Sequence, residues 1–101
     1  PLTLVGTGEQ RRDFIHVKDV ARANFLAATQ DLGDHVGEVF NVGSGKNYSI
    51  KEIALSISDK LVYLPERSGE ASTTLANIDK IKNVIGWEPE IDVIDWINGQ
   101  E

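Results

Sequence analysis

Four arginines stand in a 101-residue chain of net charge −6, and two of them, Arg11 and Arg12, are adjacent in the stretch GTGEQRRDFIHV. A guanidinium presents a rigid fork of N–H donors that fits a pair of phosphate oxygens better than the point charge of a lysine does. Two arginines from separate parts of the chain could hold a diphosphate from both ends, and Arg12 and Arg67 are the pair that the sequence offers. Spacing alone leaves the plainer reading open, because an arginine is more often a solvated surface group. With 10 basic against 16 acidic residues, docking places for a small anion are few, and the many Lys and Arg contacts of general nucleic-acid binding are missing.

Other chemistry finds little footing. NVGSGK invites comparison with a phosphate-binding P-loop, but Phe40 stands where its first glycine belongs and Asn47 where a Ser or Thr would hold magnesium. A dinucleotide fingerprint fails at both glycine pairs, since Tyr48 and Arg11 occupy the place of the third glycine. Both pairs read as turns, where glycine supplies positive φ at no steric cost. His16 and His35 are far apart, without a cysteine partner or an HExxH pattern, so no metal site is expected, and His16 reads as flanking a strand end. The carboxylates are scattered, no serine sits in a nucleophile elbow, and the absence of cysteine removes thiolate chemistry.

The elements that would position these groups follow from hydrophobic period and turn chemistry. PLTLV and RDFIHV read as two strands joined by the Gly6–Gly8 turn. Val20, Ala21, Asn24, Phe25 and Ala28 recur at helical spacing, predicting a helix from about Lys18 to Gln30 whose wide apolar arc requires cover on more than one side. EVFNVG reads as a strand buried on both faces. Ser49 and Glu52 form a capping box opening a helix with Ile50, Ile53, Ala54 and Ile57 inward. KLVYLP is a short strand and ERSGEASTT an exposed loop. Asn77 caps a helix carrying Ile78, Ile81 and Ile85, Gly86 ends it, and Trp87 packs back over its last turn. A last helix starts at Asp92 and buries Val93, Trp96 and Ile97.

Strands alternating with helices give an α/β class, with α+β also possible. The length suits one domain over residues 1–101, no apolar run approaches the roughly 20 residues of a membrane span, and no secretory signal is visible, so a cytoplasmic setting is expected. Charge is unevenly placed: residues 86–101 hold five acidic groups and no basic one.

Four blocks in order, LTLVGTGEQRRDFIHVKDVARA, GEVFNVGSG, YLPERSGE and IDKIKNVIGWEPEI, make the chain similar to the C-terminal part of the extended short-chain dehydrogenase/reductase family. Within it, the resemblance is to NAD-dependent nucleotide-sugar epimerases and dehydratases of the UDP-glucose 4-epimerase kind. Members run to about two or three times this length and carry an N-terminal Rossmann domain with a glycine-rich NAD fingerprint and a Tyr-x-x-x-Lys pair. Neither feature is in this sequence: Glu52 stands four after Tyr48, and Arg67 four after Tyr63. The resemblance therefore implies the substrate-binding portion of such a protein, lacking most of the Rossmann domain. NAD is implied for a full-length member and is not expected on this chain alone.

Carried over by position, the resemblance implies that Arg12 and Arg67 contact the diphosphate of a UDP-sugar and that Glu70 holds the ribose hydroxyls. Thr3 and Val5 offer backbone groups to the uracil edge. Thr74, four residues beyond Glu70, faces the 2-substituent of the sugar, where so small a residue leaves room for an N-acetyl group as well as a hydroxyl. Arg11 has no counterpart and reads as a surface charge. The family's usual aspartate near the next helix is Asn77 here, and either residue caps a helix. In the intact family NAD oxidises the sugar at C4 while a tyrosine takes the proton, so this chain would contribute grip and orientation only. A 4,6-dehydratase or reductase shares the binding half and is the sibling reading. A binding or structural module derived from the family, without enzymatic activity, is the reading of another class. The helix and strand that lean on the cofactor domain in the family would expose apolar surface here. A homo-oligomer is therefore expected, with exchanged elements as one form, and no nucleic-acid or membrane partner.

Overall fold

The computed structural model describes residues 1–66 and 72–100. Strand β1 (Leu2–Val5) leads through a glycine turn to the two-residue β2 (Arg11–Arg12), and helix α1 (Val17–Thr29) follows. After a single 3-10 turn at Gly33–His35 the chain runs without regular structure to β3 (Tyr48–Ser49) and α2 (Ile50–Ile57). Then come β4 (Leu61–Leu64), α3 (Asp79–Ile85) and α4 (Val93–Asn98). β1 pairs in parallel with β4, Leu2 facing Leu61 and Val5 facing Leu64, with α2 as the crossover. β2 pairs antiparallel with β3, and its other edge is taken by residues 72–74, where the Arg11 N–H donates to the Ser72 carbonyl and the Thr74 N–H to that of Arg11.

The core lies between α1 and α3. Ile78, Ile81 and Ile85 recur at i, i+3 and i+7, and with Ala23 and Trp87 they form one buried cluster. Gly86, at φ 78°, ends α3 in the left-handed conformation that only glycine adopts cheaply, and turns the chain so that Trp87 folds back at 0% exposure. The indole N–H donates to the carbonyl of Asp19 at 3.0 Å. Asp19 itself is buried on α1, where its carboxylate accepts the backbone N–H groups of Glu90 and Ile91, at 3.0 to 3.2 Å, and one N–H of Arg22. Arg22 also donates to the Glu88 carbonyl, pairs with Glu90 at 3.0 Å and lies over the Trp87 ring. A buried carboxylate thus clamps residues 87–91 onto α1 through backbone donors, supplying the partners without which burying the charge would be prohibitive.

Several sequence expectations are corrected. The two strands read in residues 1–17 are present as β1 and the shorter β2, but they do not pair with each other. The Gly8 and Gln10 carbonyls accept the first N–H groups of α2, from Lys51 at 2.8 Å and Ile50 at 2.9 Å, so the chain runs along that helix end instead of reversing on itself. EVFNVG is not a strand. Phe40 and Val42 pack on the α1–α3 core, but Val39 is 80% exposed, because among the described residues no strand lies beside this segment to pair with it. Ile57 and Trp96, read as inward, are 60% and 46% exposed. Asn77 accepts the Asp79 N–H at 3.0 Å as a capping residue should, although the helix begins one residue later than read, with Ile78 in the cap position. The capping box at Ser49, the Asp92 cap of α4 and the strand at Leu61–Leu64 stand as read. Among the described residues no helix is long and apolar enough to cross a membrane.

Asp19→Ala leaves the part-buried N–H groups of Glu90 and Ile91 without their acceptor and is expected to cost about 2–4 kcal/mol. In urea denaturation followed by Trp87 fluorescence, the midpoint should fall by about 2 M or more for a slope near 1 kcal/mol/M.

Candidate functional site

Arg11 and Arg12 are consecutive on β2, so their side chains leave opposite faces of the small sheet. The structure separates them chemically as well. Arg11 donates from Nε to the side-chain oxygen of Asn47 at 2.9 Å and from Nη2 to the Asn47 carbonyl at 3.0 Å, and its Nη1 lies 3.6 Å from Glu52. It is a structural tie as well as the surface charge that the sequence reading made it. Arg12, half-buried on the other face, makes one hydrogen bond among the described residues, from Nη1 to the Arg11 carbonyl at 2.8 Å. That bond orients the guanidinium while leaving most of its five donors uncommitted among the described residues. Arg67 and Glu70 lie outside the described residues.

The neighbouring residue organises this end of the molecule. The carboxylate of Asp13 accepts the Ser44 N–H at 2.8 Å, the Ser44 hydroxyl at 2.6 Å, the Gly45 N–H at 3.1 Å and the Ala76 N–H at 3.1 Å. Burial raises its pKa, but these donors outweigh that effect and hold the carboxyl below its usual range. The backbone N–H of Asp13 donates in turn to the Thr74 hydroxyl at 3.0 Å. Thr74 therefore sits beside the arginine strand, with its hydroxyl oxygen accepting from this backbone and its carbonyl accepting from the Asn47 amide at 3.0 Å. Gly43 is buried here for a reason other than turning. A Cβ at this position would stand 2.4 Å from the Ala76 Cβ and 3.1 Å from an Asp13 oxygen.

Thr3 and Val5 occupy β1. In the parallel ladder the N–H groups of Leu2 and Gly6 donate to Lys60 and Leu64, so alternate residues face β4 and the backbone groups of Thr3 and Val5 point to the opposite edge. On that edge the Val5 carbonyl accepts the Gln10 amide at 3.2 Å. Gln10 precedes the arginine pair, so its side chain couples the β1 edge to β2. Gln10 and Asp13 are the residues that sequence reasoning missed. The local signal was present, since both flank the arginines, but their partners are distant in sequence.

The second glycine turn cannot act as a phosphate cradle. Such a cradle needs backbone N–H groups aimed at the anion, and those of Ser44 and Gly45 are taken by Asp13. The first N–H groups of α2 are taken by the Gln10 and Gly8 carbonyls and the Ser49 hydroxyl, the last at 3.0 Å. The second glycine turn and the start of α2 therefore do not fit the pyrophosphate of NAD. Tyr48 is equally unsuited to proton abstraction. Its hydroxyl donates to Asp92 at 2.6 Å, and that hydrogen bond pushes the phenol upward in pKa. Lys46 pairs with the same carboxylate oxygen at 2.8 Å, while the other oxygen caps α4. His16 caps α1, with Nδ1 accepting the Lys18 N–H at 3.0 Å, where the sequence reading put it at a strand end.

Residues 1–43 match the model of the NAD dependent epimerase/dehydratase family. Nearly the whole chain aligns with curated relatives. It is 36% identical over 101 residues to the UDP-glucuronate 4-epimerase of Thermodesulfobacterium geofontis, covering 92% of this chain and 30% of that protein. It is 34% identical over 86 residues to the UDP-glucose 4-epimerase of Halalkalibacterium halodurans, covering 78% and 25%. The chain belongs to the NAD-dependent epimerase/dehydratase family. It spans about a quarter to a third of the length of these relatives. Among solved structures, the Thermotoga maritima UDP-glucose 4-epimerase with UDP-glucose superposes with a TM-score of 0.81 at 30% identity, over 95% of this chain and 32% of that one. The Bacillus cereus UDP-glucuronic acid 4-epimerase in complex with UDP-glucuronic acid and NAD gives 0.85 at 29% identity, over 97% and 33%. The mixed α/β architecture is thus that of part of an epimerase-family fold.

Asp13 sets an acid limit for this family member. Its folded pKa lies below the unfolded value of about 3.9, so it stabilises the fold above that pH and the contribution is lost as pH falls through the folded value. Asp92, lowered by Lys46, Tyr48 and backbone donors against the opposing effect of burial, has the same sign. Denaturation midpoints measured from pH 5 down to pH 2 should fall steeply, and less steeply in Asp13→Asn. Gly43→Ala should cost about 1–3 kcal/mol through overpacking, and Ala76→Gly in the same chain should recover much of it, read as a double-mutant cycle.

Proposed function

We propose that this chain is the nucleotide-sugar-binding portion of an NAD-dependent epimerase of the UDP-glucose 4-epimerase kind, organised as one domain over residues 1–101. Arg12 and Arg67 hold the diphosphate, Glu70 the ribose hydroxyls, Thr3 and Val5 the base through their backbone, and Thr74 faces the sugar. The observation that carries this reading is the division of labour between the adjacent arginines. Arg11 is tied down by Asn47 and Glu52, whereas among the described residues Arg12 is oriented by a single bond and keeps donors to offer. The second glycine turn has its Ser44 and Gly45 N–H groups committed to Asp13, and the guanidinium of Arg12 is a donor suited to a diphosphate. At Thr3 the β1 edge away from β4 has no backbone partner among the described residues, which supports the base contact there. Thr3 presents an N–H and a carbonyl side by side, which complements the adjacent carbonyl and N–H of a uracil imide.

The relatives of known structure include complexes with UDP-glucose and with UDP-glucuronic acid and NAD. On this reading the chain binds and orients a UDP-sugar, and the NAD chemistry belongs to a full-length family member. The Thr74 hydroxyl accepts the Asp13 N–H, which leaves its own O–H as a donor for the sugar.

Titrating the chain with UDP by calorimetry tests the assignment. Arg12→Ala and Arg67→Ala should each weaken binding roughly tenfold to a hundredfold, the equivalent of one charge-assisted contact, while Arg11→Lys should change affinity little. UDP affinity unchanged in both alanine variants would refute the site. Uridine binding that depends on Arg12 would refute the diphosphate role.

A further inference from the structure

We infer that Gln10 is a positioning residue that fixes the distance between the outer edge of β1 and the Arg12 guanidinium, so that one nucleotide is met at its base and its diphosphate together. The role rests on the reading above, in which Thr3 and Val5 meet the base and Arg12 the diphosphate.

These groups stand on separate sheets. β1 is held by its ladder with β4, whereas β2 is held by β3 on one edge and by residues 72–74 on the other. Between them the chain passes through Gly6 and Gly8, both left-handed at φ 65° and 76°. Glycine restricts the backbone least, so the covalent link by itself sets the spacing loosely. The carbonyls of Gly8 and Gln10 bind the start of α2, and neither bond reaches β1. Among the described residues, the hydrogen bond from Gln10 Nε2 to the Val5 carbonyl, at 3.2 Å, is the one that joins residues 9–13 to β1.

The geometry is that of a strut. The main chain of Gln10 is anchored, with its carbonyl accepting the Ile50 N–H at 2.9 Å and the following N–H, that of Arg11, donating to the Ser72 carbonyl at 2.8 Å. From this support the half-buried side chain reaches Val5. The NH2 end of the amide faces the carbonyl oxygen, because the other end would set two acceptors against each other. On the far side the Arg11 carbonyl accepts Nη1 of Arg12 at 2.8 Å, so the series runs from the base edge through Gln10 to the guanidinium. Holding the second contact within reach once the first is made raises its effective concentration. A loosened spacing forfeits that gain without weakening either contact alone.

A double-mutant cycle on the full 101-residue chain tests this, with UDP and uridine titrated into labelled protein and followed by amide chemical shifts. Gln10→Ala should weaken UDP roughly tenfold and leave uridine nearly unchanged, and Gln10→Glu, which sets a carboxylate against the Val5 carbonyl, should do the same or more. In an Arg12→Ala background Gln10→Ala should have little further effect, since the spacing matters only while the guanidinium is there to be placed. Far-UV circular dichroism should be unchanged in each variant. UDP affinity unaltered by both Gln10 variants would overturn the role of Gln10 and leave the site standing. So would losses that add in the double variant, or a uridine loss equal to that of UDP, which would make Gln10 a direct base contact. A wild type that binds no UDP, or an Arg12→Ala variant without effect, would instead refute the site, and the role of Gln10 with it.

Discussion

One carboxylate, that of Asp13, decides where this end of the molecule can do chemistry. It gathers four donors from two segments, residues 44–45 and Ala76, that are 31 to 63 positions away along the chain. By taking the backbone N–H groups of the second glycine turn it converts a loop that could cradle a phosphate into a structural joint. The same bonds hold residues 72–76 beside β2, which fixes the strand carrying Arg11 and Arg12. Position in the fold and loss of the alternative anion site therefore have one cause.

Asp19 repeats the device at the other side of the core. It too accepts backbone donors from a distant irregular segment, and the Trp87 indole uses its carbonyl. Two acidic side chains near the start of the chain thus replace what longer sheets would otherwise provide, a way of satisfying the backbone polar groups of loops that must lie against a core. That matters where, among the described residues, the two sheets have only two strands each and the helices after α1 run to eight residues or fewer.

Much of the local structure was legible. The isoleucine spacing gave α3 and its core face, Ser49 and Glu52 gave the start of α2, and Gly86 with Trp87 gave a helix end and the tryptophan's fold-back. Each of these signals is complete within a few residues. What was not legible depends on partners elsewhere. RDFIHV has strand composition, yet of its residues only Arg12 pairs in a strand: the Asp13 N–H goes to the Thr74 hydroxyl and His16 caps α1. EVFNVG has the pattern of a buried strand without, among the described residues, a neighbour to pair with. The choice between the two arginines came from resemblance, since nothing in RRD says that Asn47, 36 positions on, will bind the first of them.

The thinness of the molecule bears on what it can do with a ligand. Its principal extents are 51, 34 and 15 Å, and the smallest is little more than one helix diameter. A slab of that thickness can present groups to a ligand but cannot surround one. The cavities among the described residues are correspondingly open shelves, such as the apolar one of about 290 Å³ between His16, Val17 and Trp96. An arginine on such a surface grips a diphosphate in competition with water and salt, where a charge pair gives about 1 kcal/mol, rather than in the low dielectric that would multiply the interaction several-fold. Orientation, set by the Arg11 carbonyl beneath Arg12 and by the Gln10 link to β1, is then the larger contribution this chain makes. Exclusion of water from the bound phosphate requires a second body on the ligand's far side.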